Sequence, residues 1–334
     1  MGALAGVAIG DAMGMPTQTL PRSRIVELYG DIREFRDASA GHPVSHGLKA
    51  GTITDDTEQT LLLARHLIER QGGFDNEVWA DTLLRWERDT HARGVNDLLG
   101  PSTKRAIEAL QRGVPAAEAG RSGVTNGAAM RIVPVGIAVA TAPLAGLVDA
   151  VEATSSLTHN TGLAIASAAA VAAMVSAALE GADIDSALPV ALAAARLGET
   201  RGTAAHPGLL VDRLTAALER AKGRKGREAA AEIAEHIGTS VAAEQSIPMA
   251  FAVLRLADGD PWQAALLAAN IGDDTDTIGA IACGMAGAFA GFRKIPSAQW
   301  HFVAKVNQID LAPIVDGLLS LRNQARAPAA RAAS

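Results

Sequence analysis

The chain has 334 residues, 49% of them hydrophobic and only 3% aromatic, enough apolar material for a sizeable core in one large domain or two ordinary ones. Its formal net charge of −6 argues against a nucleic-acid backbone as the main partner, because that partner calls for a basic face. The single cysteine, Cys283, excludes a disulfide framework and points to a reducing cytoplasm.

The first residues, Met1-Gly2-Ala3-Leu4-Ala5-Gly6, are apolar but lack a basic residue and soon meet Asp11, so they read poorly as a signal peptide. Gly2, Gly6, Gly10 and Gly14 recur every four residues. On a helix they form a bare stripe where a second backbone can approach, at a cost of about 1 kcal/mol per Gly relative to Ala that packing must offset. Pro16 ends this segment, and residues 19–53 read as irregular, with Gly41, Pro43 and Gly51 as breakers. Inside that stretch His42-Pro43-Val44-Ser45-His46 has ligand-like spacing, but Pro43 and Gly41 argue against the helix that would align both rings on zinc.

An amphipathic helix is predicted over residues 57–71, with Leu61, Leu62, Leu63, Leu67 and Ile68 toward one face. Asp55 and Glu58 stand at its start with capping-box spacing. Further helices are expected at 77–90, 102–112, 128–141, 144–155, 161–180, 185–197, 208–221, 227–237, 244–257, 261–269, 277–290, 297–304 and 311–322. Residues 162–179 are uncharged and long enough to cross a membrane, but they lack basic and aromatic anchors and read as a buried bundle helix. Lys222-Gly223-Arg224-Lys225-Gly226-Arg227 reads as a solvated loop. No convincing period-two run and no linker appear, so the chain is read as one all-α domain over 1–322, with 323–334 as a flexible tail.

Two acidic clusters carry the chemistry: Thr54-Asp55-Asp56-Thr57 and Asp273-Asp274-Thr275-Asp276-Thr277. Each stands where a polar turn gives way to an apolar helix. Capping explains one carboxylate in such a place, but not three that repel one another without a cation or hydrogen bonds. Carboxylates and threonine hydroxyls are hard donors suited to Mg²⁺ or Mn²⁺. If the clusters converge, they build a two-metal site of the kind that performs hydrolysis.

Residues 120–127 form a small-residue loop leading into a helix, where free N–H groups suit a phosphate or diphosphate; a plain interhelical turn is the alternative. Arg131 pairs either with that phosphate or with a nearby carboxylate. His159 either bonds ribose or phosphate near the metals or is a satisfied core histidine. No Gly-x-Ser-x-Gly elbow is present, which argues against a serine hydrolase.

The chain resembles the ADP-ribosylglycohydrolases. The matching stretches are Gly2-Ala3-Leu4-Ala5-Gly6 with Gly10-Asp11-Ala12-Met13-Gly14, Thr54-Asp55-Asp56, Asn126-Gly127-Ala128-Ala129-Met130-Arg131, Thr158-His159 and Asp274-Thr275-Asp276-Thr277. Each is weak alone; in the family's order they are specific. The resemblance implies a single-domain orthogonal multi-helix bundle and two divalent cations, Mg²⁺ or Mn²⁺. By position it implies Thr54, Asp55, Asp56, Asp274, Asp276 and Thr277 as their ligands, gripping ribose hydroxyls and placing a water at the anomeric carbon. Ser122, Gly123, Val124, Asn126, Gly127, Arg131 and His159 are then the expected substrate contacts. The stretch from Asn96-Asp97 to Lys104-Arg105 resembles another family segment, which makes Asp97 a candidate general base or leaving-group orienter, with capping of the helix from Ser102 as the alternative; Asp56 is the other carboxylate counted as catalytic.

Two positions depart from the family. Gln18 stands where many relatives carry Glu, and an amide cannot take a proton, so the base would be Asp97 or a water held by the cations. Asp273 stands where relatives often carry Gly. The expected function is hydrolysis of an N- or O-ribosyl bond in a protein-linked or small ADP-ribosyl conjugate, by a monomer or small homo-oligomer acting without nucleic acid or membrane. The alternatives are a nucleoside-type N-ribosyl hydrolase and a non-catalytic ADP-ribose-binding or structural protein. A bulky residue at Ser122 or Gly123 is expected to cripple a diphosphate substrate and spare a nucleoside. Six intact ligands speak against the structural role.

Overall fold

The computed structural model describes residues 1–93, 100–203 and 207–332, with side chains as far as Ala325. Among the described residues there are eighteen α-helices, one 3-10 turn and no strand, only isolated antiparallel bridges between Leu20 and Asp273 and between Thr125 and Ala242. In chain order the first are α1 (Gly2–Gly14), α2 (Arg22–Tyr29), α3 (Asp55–Glu69), α4 (Asn76–Ala92), α5 (Pro101–Gln111) and α6 (Ala116–Ala119). Next come α7 (Gly127–Met130), α8 (Val133–Ala138), α9 (Leu144–His159), α10 (Gly162–Leu179), α11 (Ile184–Gly198) and α12 (Leu209–Ala221). The last are α13 (Gly226–Ile237), α14 (Ala243–Leu256), α15 (Pro261–Ala268), α16 (Thr275–Ala290), α17 (Ser297–Asn307) and α18 (Ala312–Ala332).

The glycine stripe of α1 meets a second bare face on α16. A Cβ on Gly2 would fall 2.2 Å from the carbonyl oxygen of Gly287, one on Gly6 2.1 Å from that of Cys283, and one on Gly14 2.4 Å from the Cα of Asp276. The two helices therefore run antiparallel with their backbones in contact, and close packing offsets the poor helix propensity of glycine. Because Gly14 lies against Asp276, this pairing draws Asp11 of α1 toward the start of α16.

Helix α10 is buried on every face from Gly162 to Ala177. It is long and apolar enough to cross a membrane, with a mean hydropathy of 2.0, yet 89% of it lies inside the protein. Its alanines let α8, α9 and α11 pack close around it. One hydrophobic core runs through the chain, from Ala3 to Leu321.

Besides the four-residue α6, for which no helix was expected, three segments differ from the sequence-based expectation. α2 lies inside the stretch read as irregular; only its Ile25 is buried, so it carries no hydrophobic period to read. The helix expected at 128–141 is split into α7 and α8, because Pro134 has no N–H to continue a helix and sits instead in the first turn of a new one. α18 runs past residue 322 to Ala332 through Ala- and Arg-rich sequence of high helix propensity. Arg322 anchors it, donating to the carbonyls of Gly136, Ile137 and Val139 and to Glu180. The basic run near residue 224 is matched by surface partners: Arg224 with Glu232, Lys225 with Asp258 and Arg227 with Asp31.

Candidate metal centre

The two acidic clusters meet. Helix α3 delivers Asp55 and Asp56 in its first turn, and Asp274 and Asp276 open α16 from the other side. Carboxylate oxygens of Asp11, Asp56 and Asp276 all lie within 4.8 Å of one another, and all three residues are buried. Thr277 Oγ1 lies 3.4 Å from Asp56 Oδ2.

Asp11 is the member absent from the ligands expected from the sequence, where it stands only as a break in the apolar start and within the matching stretch Gly10-Asp11-Ala12-Met13-Gly14. Its carboxylate accepts from the N–H of Thr54 at 3.0 Å, the hydroxyl of Thr54 at 2.8 Å, the N–H of Thr57 at 3.1 Å, and the hydroxyl of Thr57. It thus caps α3 from another helix, where Thr54 makes no side-chain cap of its own. A lone carboxylate in an otherwise apolar, fully buried helix was the signal available in the sequence, because such a charge must find partners.

The geometry fits cations. A hydroxyl has one proton, yet Thr54 Oγ1 sits within donating distance of two carboxylates, 2.8 Å from Asp11 Oδ1 and 3.1 Å from Asp56 Oδ2. One proton cannot fully serve two carboxylates, and a cation or a carboxylic proton supplies the rest. Asp56 Oδ1 is buried without a hydrogen-bond partner among the described residues. Burial, reinforced by the neighbouring carboxylates, pushes Asp55, Asp56 and Asp276 well above the ordinary carboxylate range. Burial also raises Asp11 to about 6 and Asp274 to about 7. A group of acids that holds protons when empty is one that a divalent cation satisfies better.

The turn before α16 is tightly held. Asp273 adopts φ +63, in the left-handed region, and exchanges backbone hydrogen bonds with Thr19 and Leu20. Gln18, between the anchored Thr17 and Thr19, donates its Nε2 to Ser45 Oγ at 2.9 Å, and that hydroxyl donates to the Met15 carbonyl. His42 Nδ1 accepts from the backbone N–H of Ser45 at 2.7 Å, so this atom is spent inside its own loop.

The expected substrate contacts fall into two groups. Ser122 and Val124 are exposed on the loop. Asn126, Arg131 and His159 are buried behind it: Asn126 Nδ2 donates to Asp274 Oδ2 and Ser246 Oγ, and Arg131 is 1% exposed with its guanidinium bonded to Gln59 and Thr158. His159 is sealed, with its ring between Thr158 and Thr125. Burial, with the Arg131 and Arg105 guanidiniums, holds its pKa well below the usual value, so the ring is neutral. Gly123 is required by packing, since a Cβ there would lie 2.2 Å from the Thr158 carbonyl oxygen; Gly127 faces the His159 ring in the same way. A bulky residue at Gly123 would therefore break the fold, and only Ser122 remains fit to discriminate substrates. Asp97 lies outside the described residues.

The sequence model for the ADP-ribosylglycohydrolase family matches residues 1–328. The protein named Uncharacterized protein YegU from Escherichia coli K12 is 35% identical over 98% of both chains. The ADP-ribosylarginine hydrolase Tri1 of Pseudomonas putida is 31% identical over 96% of this chain and 80% of its own length. A solved structure described as an ADP-ribosylglycohydrolase-related protein complex superposes with a TM-score of 0.66 at 28% identity, covering 96% of each chain.

Proposed function

The chain belongs to the ADP-ribosylglycohydrolase family and is a glycohydrolase, and from that premise we propose that it cleaves the bond between the anomeric carbon of an ADP-ribosyl group and an N- or O-linked leaving group with the help of two divalent cations. The observation that carries this reading is the meeting of Asp11, Asp56 and Asp276 with an orphaned, buried Asp56 Oδ1 at the centre. Thr54, Asp55, Asp56, Asp274, Asp276 and Thr277 would hold Mg²⁺ or Mn²⁺. When bound, such ions polarise ribose oxygens and acidify a water.

The protein's own residues supply the rest. Asp11 and Asp56 hold the Thr54 hydroxyl between them, with Oγ1 2.8 Å from Asp11 Oδ1 and 3.1 Å from Asp56 Oδ2. Asn126 fixes the orientation of Asp274. Ser122, exposed on the loop, meets the diphosphate. Asp97 takes the proton that Gln18 cannot, and Gln18 offers a neutral carbonyl oxygen to the substrate while its amide nitrogen stays on Ser45.

Product analysis by mass spectrometry tests this, with the purified protein incubated with Mg²⁺ or Mn²⁺ and ADP-ribosyl-arginine, ADP-ribosyl-serine, O-acetyl-ADP-ribose or common nucleosides. Free ADP-ribose that disappears in Asp55→Ala and Asp274→Ala supports the proposal and names the leaving group. Ribose released from nucleosides alone makes it a nucleoside-type hydrolase, and Ser122→Trp should then leave the rate unchanged. No product from any substrate, with metal still bound, points to a binding role.

A further inference from the structure

Two lines of hydrogen bonds leave the acidic centre, and both end on the loop of residues 120–127. The short line is the Asn126 amide on Asp274. The long line starts at Asp55, whose Oδ2 accepts from Gln59 Nε2 at 3.4 Å. Gln59 Oε1 accepts from one terminal nitrogen of Arg131 at 2.9 Å, and the other donates to Thr158 Oγ1. Thr158 Oγ1 lies 2.7 Å from His159 Nδ1, and His159 Nε2 lies 3.0 Å from Thr125 Oγ1.

Arginine fixes the direction of the links on either side of it, because it only donates. On one side it takes the amide oxygen of Gln59, which turns the Gln59 NH₂ toward Asp55. On the other it fills an acceptor site of Thr158, whose hydroxyl also meets His159 Nδ1. The neutral ring of His159 donates through one nitrogen and accepts through the other, so Thr158 and Thr125 hold it from both sides. A planar fork that reaches helices α3 and α9 at once cannot be replaced by a single ammonium.

We infer that Arg131 is a positioning residue that sets Asp55 and Thr125 together, so that a cation at the acidic centre orders the substrate-facing loop, and this rests on the proposed metal site. By linkage, whatever orders the loop also tightens the cation.

Hydrogen exchange read by mass spectrometry on the full chain, with and without Mn²⁺, tests it in wild type, Arg131→Lys and the near-isosteric Thr158→Val. In wild type, Mn²⁺ is expected to slow exchange at residues 54–57, 273–277 and 120–125. In Thr158→Val the slowing at 54–57 and 273–277 should persist, while that at 120–125 falls by about half or more, leaving the Asn126 line. Arg131→Lys should lose the same share of the loop response, again leaving the Asn126 line, and bind Mn²⁺ roughly tenfold more weakly. A Thr158→Val protein with the full wild-type loop response overturns the inference, whether or not Arg131→Lys folds. Wild-type slowing confined to 54–57 and 273–277 also overturns it and leaves the metal site standing; no slowing anywhere sinks the metal site itself. A wild type that shows the loop response but hydrolyses no ADP-ribosyl conjugate keeps this inference and removes the proposed reaction.

Discussion

Gly10 and Gly279 face each other so closely that a Cβ on Gly10 would lie 2.1 Å from the Gly279 carbonyl oxygen. One residue further along α1 is Asp11, and three residues before Gly279 is Asp276. The contact between two bare backbones is thus what places two of the three clustered carboxylates. Gly10→Ala should force α1 and α16 apart, costing about 2–4 kcal/mol of stability and weakening metal binding with it. Gly41→Ala, with nothing within 4 Å of its added Cβ, should change stability by less than about 0.5 kcal/mol. Denaturant unfolding of both variants checks this; equal losses would contradict it.

The acidic centre makes metal-free stability depend on pH in an unusual direction. Burial raises Asp11 to about 6 and Asp274 to about 7 in the folded protein, above the ordinary value of 3.8. The folded state therefore holds protons that the unfolded chain has released, and their contribution is complete below pH 3.8 and lost as pH rises through 6 to 7. Thermal unfolding in chelator should show a melting temperature that falls between pH 5 and pH 8, and Mg²⁺ or Mn²⁺ should restore it most at pH 8. A metal-free melting temperature that rises over this interval would count against a buried, proton-holding cluster.

Asp273 pays for its position twice, with φ +63 and with a negative charge beside Asp274, whose pKa it helps to raise. Glycine adopts that backbone freely and carries no charge. Asp273→Gly should stabilise the metal-free protein by about 0.5–1 kcal/mol, measured by denaturant unfolding, and keep the Thr19 and Leu20 backbone bonds. A loss of stability would show that the Asp273 side chain does something that the backbone geometry does not reveal.

Legibility in the sequence followed local patterning. Asp55, Asp56, Asp274 and Asp276 could be read because they crowd the starts of apolar helices, where capping accounts for too few of them. The pairing of α1 with a second bare face was legible as a stripe, but its partner α16 was not, since nothing in either sequence states which glycine meets which. Asp11 was not singled out as a ligand because its partners, Thr54 and Thr57, stand at the start of another helix far along the chain. Arg131 and His159 were read as open alternatives between ligand and interior; burial against Gln59, Thr158 and Thr125 is a long-range fact that no spacing reveals. The helix Arg22–Tyr29 escaped because a single buried residue makes no period.

The most direct test of the account is the number of Mn²⁺ ions bound per chain, followed by electron paramagnetic resonance as the purified protein is titrated. Wild type should bind two coupled Mn²⁺ ions, and Asp56→Asn should lose at least one of them together with the coupling. Wild-type stoichiometry and affinity retained in a folded Asp56→Asn protein would show that the buried carboxylates of Asp11, Asp56 and Asp276 are not the metal centre.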